Sequence, residues 1–384
     1  MPSLAATPVS GARPFSEYAA LNASEITRRA HEARRRLGPR AVVLGHHYQR
    51  ESVMEFADLR GDSFKLSQLA AAQREAEFIV FCGVHFMAES ADILRQPHQT
   101  VILPDLKAGC SMADMAGIED VEEAWERLTR AHGETVVPVT YMNSSAALKA
   151  FCGEHDGVVC TSSNARTVLE WAWARQPRVF FFPDQHLGRN TGASIGVPLE
   201  HMPEWEYRVQ DLDRVNAACY RPETRIILWR GWCSVHTRFT KAMIDQVRAE
   251  DPAVKVLVHP ECPFEVVQNA DLVGSTEFII ERVKEAPAGS SWAIGTEINL
   301  VHRLALEHPG QHVRSLQKHV CPCATMNRID PAHLLWTLEN LVDGHVVNAV
   351  RVPEGVKHHA RVALDRMLEL KGTGAIGRAT MAKD

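Results

Sequence analysis

The chain has 384 residues, of which 45% are apolar and 23% charged, as in an ordinary folded globular protein. Its 42 basic and 47 acidic residues give a formal charge of −5, which excludes the chain-wide basic surface typical of nucleic-acid-binding proteins. Residues 1–20 are rich in Ala, Pro and Ser and lack the apolar core of a signal peptide, so we expect a disordered tail there. No run approaches the roughly 20 apolar residues of a membrane span. We therefore expect a cytoplasmic protein that binds neither membranes nor nucleic acids.

Short apolar runs alternate along the chain with segments of helical character, a pattern that predicts βα units and parallel sheets. We predict strands at residues 41–45, 78–83, 100–104, 135–139, 157–160, 178–183, 225–231 and 254–260. Residues 189–224 show no clear periodicity and are interpreted as a long excursion or lid. After Asp330 two helical patterns close the chain, and no strand is expected there.

Polar residues cluster directly after several of the predicted strands. The clusters include GHHYQ (45–49), YMNSSA (141–146), CTSSNA (160–165), PDQHLG (183–188), HPECP (259–263) and VGSTE (273–277). In open α/β sheets the carboxyl ends of the strands face the ligand crevice, so chemistry is expected at these positions.

Three of the clusters contain a hydroxyl-rich turn that opens a helical pattern: NSS (143–145), TSS (161–163) and GST (274–276). Helix N-termini attract phosphate and carboxylate groups, so the three turns together favour an anionic substrate. The alternative for each single turn is helix capping, because Ser and Thr are preferred caps. A further cluster places His259 and Glu261 on either side of a proline, which suits proton transfer, with a surface salt bridge as the alternative.

Nine cysteines are spread over the chain without a secretory signal, which argues against a disulfide framework. Cys110, Cys233 and Cys321 lie at or beyond predicted strand ends, whereas Cys82 and Cys160 lie inside apolar runs and are expected in the core. Cys321 and Cys323 are separated by one proline. The residues alone leave open a disulfide, a metal site, or one reactive thiolate beside an uninvolved neighbour.

Several stretches in order along the chain resemble the quinolinate synthases, the iron–sulfur enzymes of NAD biosynthesis. The resemblance covers about residues 40–330 and rests on GHHYQ, GDSFKLS, FCGVHFMAESADIL, DLKAGCSMAD, YMNSSAALKA, TSSNA, PDQHLG, GWCSVH, HPECP, VGST, GTEINLVHRL and CPCATMN. It implies an α/β fold of three similar α-β-α sandwich domains, with short parallel sheets in a pseudo-threefold arrangement around a central active site. The first domain is expected at 21–110 plus about 328–372, the second at 111–234 with the 189–224 excursion, and the third at 235–327.

The resemblance also implies a [4Fe–4S] cluster held by one cysteine from each domain, Cys110, Cys233 and Cys321. Cys323 is then an uninvolved neighbour, with an exchange of roles between Cys321 and Cys323 as the alternative. Three thiolates leave one iron without a protein ligand, and such an iron can act as a Lewis acid.

The reaction that the resemblance implies condenses iminoaspartate with dihydroxyacetone phosphate, with loss of phosphate and two waters. An aspartate-oxidising enzyme is the expected source of iminoaspartate. The residues expected to bind substrate are His46, Ser63, Tyr141, Met142, Asn143, Ser162, His259, Pro260, Glu261 and Thr276. Those expected to transfer protons are Tyr48, Tyr141, His259 and Glu261. His236, Asp184, His186 and Glu297 are weaker candidates for places beside the site.

Two other functions compete with this hypothesis. A zinc hydrolase would use Cys and His ligands with water in the open position, and the order of the motifs argues against it. A non-catalytic iron–sulfur redox sensor would leave the HPE motif and the three hydroxyl-rich turns without a purpose.

Overall fold

The computed structural model of the chain describes residues 9–318 and 321–376. The chain divides into two compact units. The first unit consists of Met1–Cys110 and Pro322–Glu354, and the second of Ser111–Cys321 and Gly355–Asp384. Among the described residues, no helix has the length and apolar character needed to cross a membrane.

Helices separate most of the strands, as the sequence pattern predicts. They are α1 (Ser16–Ala19), α2 (Ala23–Leu37), α3 (Glu51–Met54), α4 (Ser63–Ala72), α5 (His85–Leu94), α6 (Ile118–His132), α7 (Ala146–Glu154), α8 (Ala165–Trp173), α9 (Gln185–Ser194), α10 (Leu212–Val215), α11 (Lys241–Glu250), α12 (Phe264–Asn269), α13 (Thr276–Glu285), α14 (Ile298–Glu307), α15 (Pro331–Val342) and α16 (Glu354–Glu369).

The strands are short and mostly buried. They are β1 (Ala41–His46), β2 (Leu59–Gly61), β3 (Phe78–Cys82), β4 (Thr100–Ile102), β5 (Val136–Tyr141), β6 (Val158–Cys160), β7 (Arg178–Phe182), β8 (Glu204–Trp205), β9 (Ile226–Trp229), β10 (Lys255–Val258), β11 (Leu272–Val273), β12 (Ser291–Gly295), β13 (His312–Ser315) and β14 (Ala349–Val350). Every strand predicted from an apolar run is present.

The first unit contains one five-stranded sheet with the order β14-β4-β3-β1-β2. β1 to β4 pair in parallel, and β14 runs antiparallel to β4 with Val350 opposite Val101. The expectation that no strand follows Asp330 is therefore wrong, because a two-residue strand is too short to show the alternation by which strands are recognised. Of the expected tail, residues 1–8 lie outside the described residues, and residues 9–20 include α1, in which Tyr18 is buried.

The second unit contains two parallel sheets, one with the order β6-β5-β7-β9-β8 and one with the order β11-β10-β12-β13. Both are covered by helices, so strand residues such as Phe180, Phe181 and Ile294 are fully buried. Together with the sheet of the first unit, this gives three short, mostly parallel sheets with flanking helices. The predicted α/β class is confirmed, and the boundaries of the three domains stay a prediction.

Helix α9 lies unusually close to the sheet of the second unit. A Cβ atom at Gly188 would lie 2.5 Å from Leu228 Cδ2, and one at Gly192 would lie 2.6 Å from Ile226 Cδ1. Since both contacts are shorter than carbon atoms tolerate, only glycine permits this approach at either position. The helix is thereby fixed on β9, and its residues 189–194 belong to the segment that the sequence left without a pattern.

Candidate active site in the second unit

The polar side chains of the candidate site come from the carboxyl ends of parallel strands. Tyr141 is the last residue of β5, and His259 and Glu261 follow β10. His236 begins a short 3-10 helix after β9, and Thr296 follows β12. The arrangement agrees with the expectation that chemistry lies at strand ends.

Glu261 is hydrogen-bonded through both of its carboxylate oxygens. The hydroxyl of Tyr141 donates to Oε1 at 2.5 Å, and Nδ1 of His236 lies 2.8 Å from Oε2. The other ring nitrogen of His236, Nε2, lies 3.1 Å from Thr296 Oγ1. Because an ionised carboxylate only accepts hydrogen bonds, Nδ1 of His236 is the donor in this pair.

His259 lies against the same carboxylate. Its ring stacks on that of His236 with 4.5 Å between the centroids, and its Nδ1 lies 3.8 Å from Glu261 Oε1. Burial, which outweighs the opposing effect of the Glu261 carboxylate, and the proximity of His236 lower the pKa of His259 to about 3. His259 is therefore a neutral imidazole near pH 7, which can accept a proton during a reaction.

Two buried carboxyl groups of this unit have pKa values displaced in opposite directions. Burial raises the pKa of Glu261, but the electrostatic interactions with the His236 and His259 rings and the hydrogen bonds from His236 and Tyr141 outweigh it and lower the value. Burial and the negative charge of Glu261 raise the pKa of Asp184 well above its usual range. Asp184 Oδ1 accepts from the backbone of α9, and Oδ2 has no partner among the described residues. Near neutral pH the negative charge resides on Glu261, and burial favours the protonated form of Asp184.

Two of the three hydroxyl-rich turns do cap helices, and residues other than the expected ligands make the caps. Ser145 accepts from Leu148 N at the start of α7, and Ser275 accepts from Phe278 N at the start of α13. Asn143 and Thr276 are therefore not the capping residues. The Oδ1 atom of Asn143 is buried without a partner among the described residues, as expected for a group that binds a ligand.

The remaining expected residues of this unit are Ser162, Met142 and Pro260. All three are buried: Ser162 follows β6, Met142 follows β5, and Pro260 separates His259 from Glu261. Lys149, which the sequence did not single out, is fully buried in α7 and donates from Nζ to the backbone oxygen of Ser144 at 2.5 Å. The only sign of Lys149 in the sequence is its place in the helical pattern that follows the NSS turn.

The first unit holds His46, Tyr48 and Ser63. His46 is buried at the end of β1; its Nδ1 accepts from Tyr48 N at 3.1 Å, and the two rings meet edge to face. Ser63 is the first residue of α4 and follows the cap Asp62. The structure thus brings His46 and Tyr48 together within this unit, as it brings Tyr141, His259 and Glu261 together in the other.

The nine cysteines separate into two classes by burial. Five are buried: Cys82, Cys152, Cys160, Cys219 and Cys262. Burial raises the pKa of each of these five thiols, which disfavours the thiolate that binds metals. The other four, Cys110, Cys233, Cys321 and Cys323, are at least partly exposed. All three expected cluster ligands belong to this second class.

Cys233 lies beside the carboxylate site. Among the residues that the structure describes, Cys233, His236 and Glu261 form a group whose potential metal-ligand atoms lie within 4.8 Å of one another. Cys110 belongs to the first unit and follows β4, while Cys321 ends the second unit's first segment. A metal centre that includes Cys233 would adjoin the carboxylate of Glu261.

Comparison with known proteins adds an independent observation. Residues 28–369 match the model of the family described as quinolinate synthetase A protein. The quinolinate synthase of Anoxybacillus flavithermus is 53% identical over 351 residues, which cover 91% of this chain and 95% of the relative. That of Corynebacterium glutamicum is 54% identical over 355 residues, covering 92% and 90%, and that of Geobacillus kaustophilus is 52% identical over 359 residues, covering 92% and 95%.

Proposed function

Because the chain belongs to the quinolinate synthetase A family, we propose that it is a quinolinate synthase that condenses iminoaspartate with dihydroxyacetone phosphate. The products are quinolinate, phosphate and two waters, and the atoms balance without an oxidant or reductant. The observation that carries the proposal is the buried carboxylate of Glu261, held between Tyr141 and His236 in a chain that matches the family over residues 28–369.

The proton transfers of this condensation suit the groups around Glu261. Isomerisation requires a base that removes a proton from carbon and an acid that protonates the carbonyl oxygen, and dehydration requires a base and an acid that protonates the departing oxygen. Glu261 is ionised near pH 7, so its carboxylate is available to accept a proton, and it is the proposed base. Tyr141 donates to that carboxylate, and neutral His259 lies beside it, so both can pass a proton to or from Glu261. In the first unit, Tyr48 is proposed to take part in the same transfers.

Both substrates are anions, and the helix N-termini supply sites for them. α7, α8 and α13 begin at the three hydroxyl-rich turns, where backbone N–H groups and the helix dipole favour carboxylate and phosphate oxygens. We propose that Asn143, Ser162 and Thr276 hold these oxygens, with His46 and Ser63 as further ligands from the first unit. Met142 and Pro260 shape the pocket.

The exposed cysteines fit the cofactor of the family. Cys110, Cys233 and Cys321 are the proposed ligands of a [4Fe–4S] cluster, because they are three of the four cysteines that can present a thiolate outside the core. When bound, a cluster with three protein ligands supplies an iron that can polarise a substrate oxygen. The supplier of iminoaspartate is proposed to be an aspartate-oxidising enzyme.

The test combines a product assay with metal analysis. The protein is purified without oxygen and supplied with dihydroxyacetone phosphate and iminoaspartate generated in the assay, and quinolinate is measured by chromatography. Iron, sulfide and zinc are measured for the wild type and for Cys110→Ala, Cys233→Ala, Cys321→Ala and Cys323→Ala. We expect quinolinate and about four irons per chain in the wild type and in Cys323→Ala, and loss of both in the other three.

Two results would change the proposal. If Cys323→Ala loses its iron and Cys321→Ala retains it, the proposed activity stands and Cys323 replaces Cys321 as the third ligand. A wild type that holds one zinc, takes up no iron and forms no quinolinate would favour the hydrolase instead, with Cys233, His236 and Glu261 as zinc ligands.

A further inference from the structure

The turn that carries Glu261 is held from one side by a single amide. Asn190 lies in α9 and is 1% exposed. Its Nδ2 donates to the backbone oxygen of Pro260 at 2.8 Å and to that of Cys262 at 2.8 Å. These two carbonyls belong to the residues directly before and after Glu261. One side chain therefore fixes the backbone on both sides of the proposed base.

Asn190 can act in this way because α9 itself is fixed. Asp184 caps the helix by accepting from His186 N at 2.7 Å and Leu187 N at 3.0 Å. The glycines Gly188 and Gly192 let the helix lie against β9 at a distance that no larger residue allows. α9 therefore holds the turn after β10 at a fixed place relative to the sheet that contains β5, β7 and β9.

The position of this turn matters because Glu261 must meet partners from two other segments. Its carboxylate accepts from Tyr141 at the end of β5 and from His236 after β9. Backbone bonds from Cys262 N to His259 O at 3.1 Å and from His259 N to Gly295 O at 3.1 Å close this turn and tie its start to β12, whereas the carbonyls of Pro260 and Cys262 are held by Asn190. Catalytic groups must be held within about 0.5 Å of their productive position, and that precision comes from supporting residues.

We propose that Asn190 is a positioning residue for Glu261. It fixes the backbone of the 260–262 turn, so that the carboxylate meets the Tyr141 hydroxyl and the His236 ring. In this proposal Asn190 acts only through Glu261. The inference rests on the proposed function, because that function assigns Glu261 as the base.

The chain offers a matched control one residue away. Thr191 is fully buried in the same helix, and its Oγ1 donates to Leu187 O at 2.7 Å, within α9 and away from the turn. Asn190→Leu and Thr191→Val each remove a buried donor while nearly keeping the side-chain volume. A merely structural role predicts similar effects of the two substitutions on turnover, whereas a positioning role predicts an effect of Asn190→Leu alone.

The experiment measures kcat, KM, iron content and the free energy of unfolding in urea for the wild type and both variants. We expect kcat to fall about 10²-fold in Asn190→Leu with KM and iron content little changed, because a misplaced base slows the chemical step. We expect Thr191→Val to keep the wild-type kcat. Asn190→Ser keeps one donor, so its kcat should lie between those of the wild type and Asn190→Leu. If Asn190→Leu does not fold, the kcat of Asn190→Ser tests the proposal instead.

A second comparison separates positioning from general damage. In a Glu261→Gln background, the further cost of Asn190→Leu to kcat should vanish, because two residues that act through one group are not additive. Equal losses of kcat in Asn190→Leu and Thr191→Val, or an undiminished cost in the Glu261→Gln background, would overturn the inference. A wild type that forms no quinolinate would instead refute the proposed function.

Discussion

The hydroxyl of Tyr141 donates a hydrogen bond of 2.5 Å to Glu261 Oε1, although the two residues are 120 positions apart in the sequence. Tyr141 ends a strand of one sheet, and Glu261 follows a strand of another. Both side chains are buried, so water does not compete for the bond. The bond therefore joins the two sheets of the second unit at the point where proton transfer is proposed.

Replacing Glu261 by Gln should slow turnover strongly and spare the metal centre. The amide has nearly the same size as the carboxylate but cannot take up a proton, so we expect quinolinate formation to fall at least about 10²-fold. Iron content should stay at the wild-type value, because Glu261 is not a proposed ligand of the cluster. Near-normal turnover in Glu261→Gln would show that the base lies elsewhere.

Replacing Tyr141 by Phe removes one of the donors to Glu261 and leaves the ring in place. We expect kcat to fall about 10²-fold, since both a proton donor and an orienting bond are lost. Tyr220→Phe is the control, because the Tyr220 hydroxyl donates to Asp213 at an exposed position. Kinetic assays should show a lower kcat in Tyr141→Phe and an unchanged kcat in Tyr220→Phe. Similar rates in the two variants would contradict the role of Tyr141.

Replacing Asp184 by Asn should change how stability depends on pH. The pKa of Asp184 is raised in the folded protein, so the folded state holds a proton that the unfolded state has released above about pH 4. The stability that this proton contributes is fully present below the unfolded pKa and is lost as the pH rises. Asn mimics the protonated acid and does not titrate, so its stability relative to the wild type should increase from pH 5 to pH 8.

Urea unfolding of both proteins at three pH values in that range measures the difference. Asp213→Asn is the control, because hydrogen bonds from Arg127 and Tyr220 lower the pKa of Asp213. Asp213 has finished titrating below pH 5, so the free energy of unfolding of Asp213→Asn should differ from that of the wild type by a constant amount across the range. A constant difference for Asp184→Asn as well would mean that Asp184 is ionised in the folded protein.

Replacing Gly188 by Ala should destabilise the protein by about 1–3 kcal/mol, the usual cost of overpacking a buried contact. The added methyl group would lie 2.5 Å from Leu228 Cδ2 and 2.7 Å from Phe181 Cδ1. Gly355→Ala is the control, since a Cβ there meets nothing within 4 Å and alanine is the better helix former in α16. Urea unfolding should show a loss for the first variant and a gain of up to about 1 kcal/mol for the second.

The sequence predicts the main strands because they are apolar runs bounded by polar turns, as in β5 and β10. It does not predict β2, β12 and β13, nor β8, β11 and β14, of which the last three have only two residues each and so show no period. In the site, the HPE motif identifies His259 and Glu261 as a pair suited to proton transfer. The bond from Asn190 to the turn of His259 and Glu261 cannot be predicted from the sequence, because it spans 70 positions and connects a side chain to backbone oxygens.

The antiparallel pairing of β14 with β4 has a consequence for the synthesis of the chain. Val101 and Ile102 leave the ribosome long before Val350 and Ala349, their partners in the sheet. Throughout that interval one edge of the nascent first sheet has exposed backbone donors and acceptors, and such edges pair with other chains. A nascent chain that stalls or terminates before Ala349 therefore retains an open edge, and aggregation of such fragments is the expected cost of closing the sheet with the last part of the sequence.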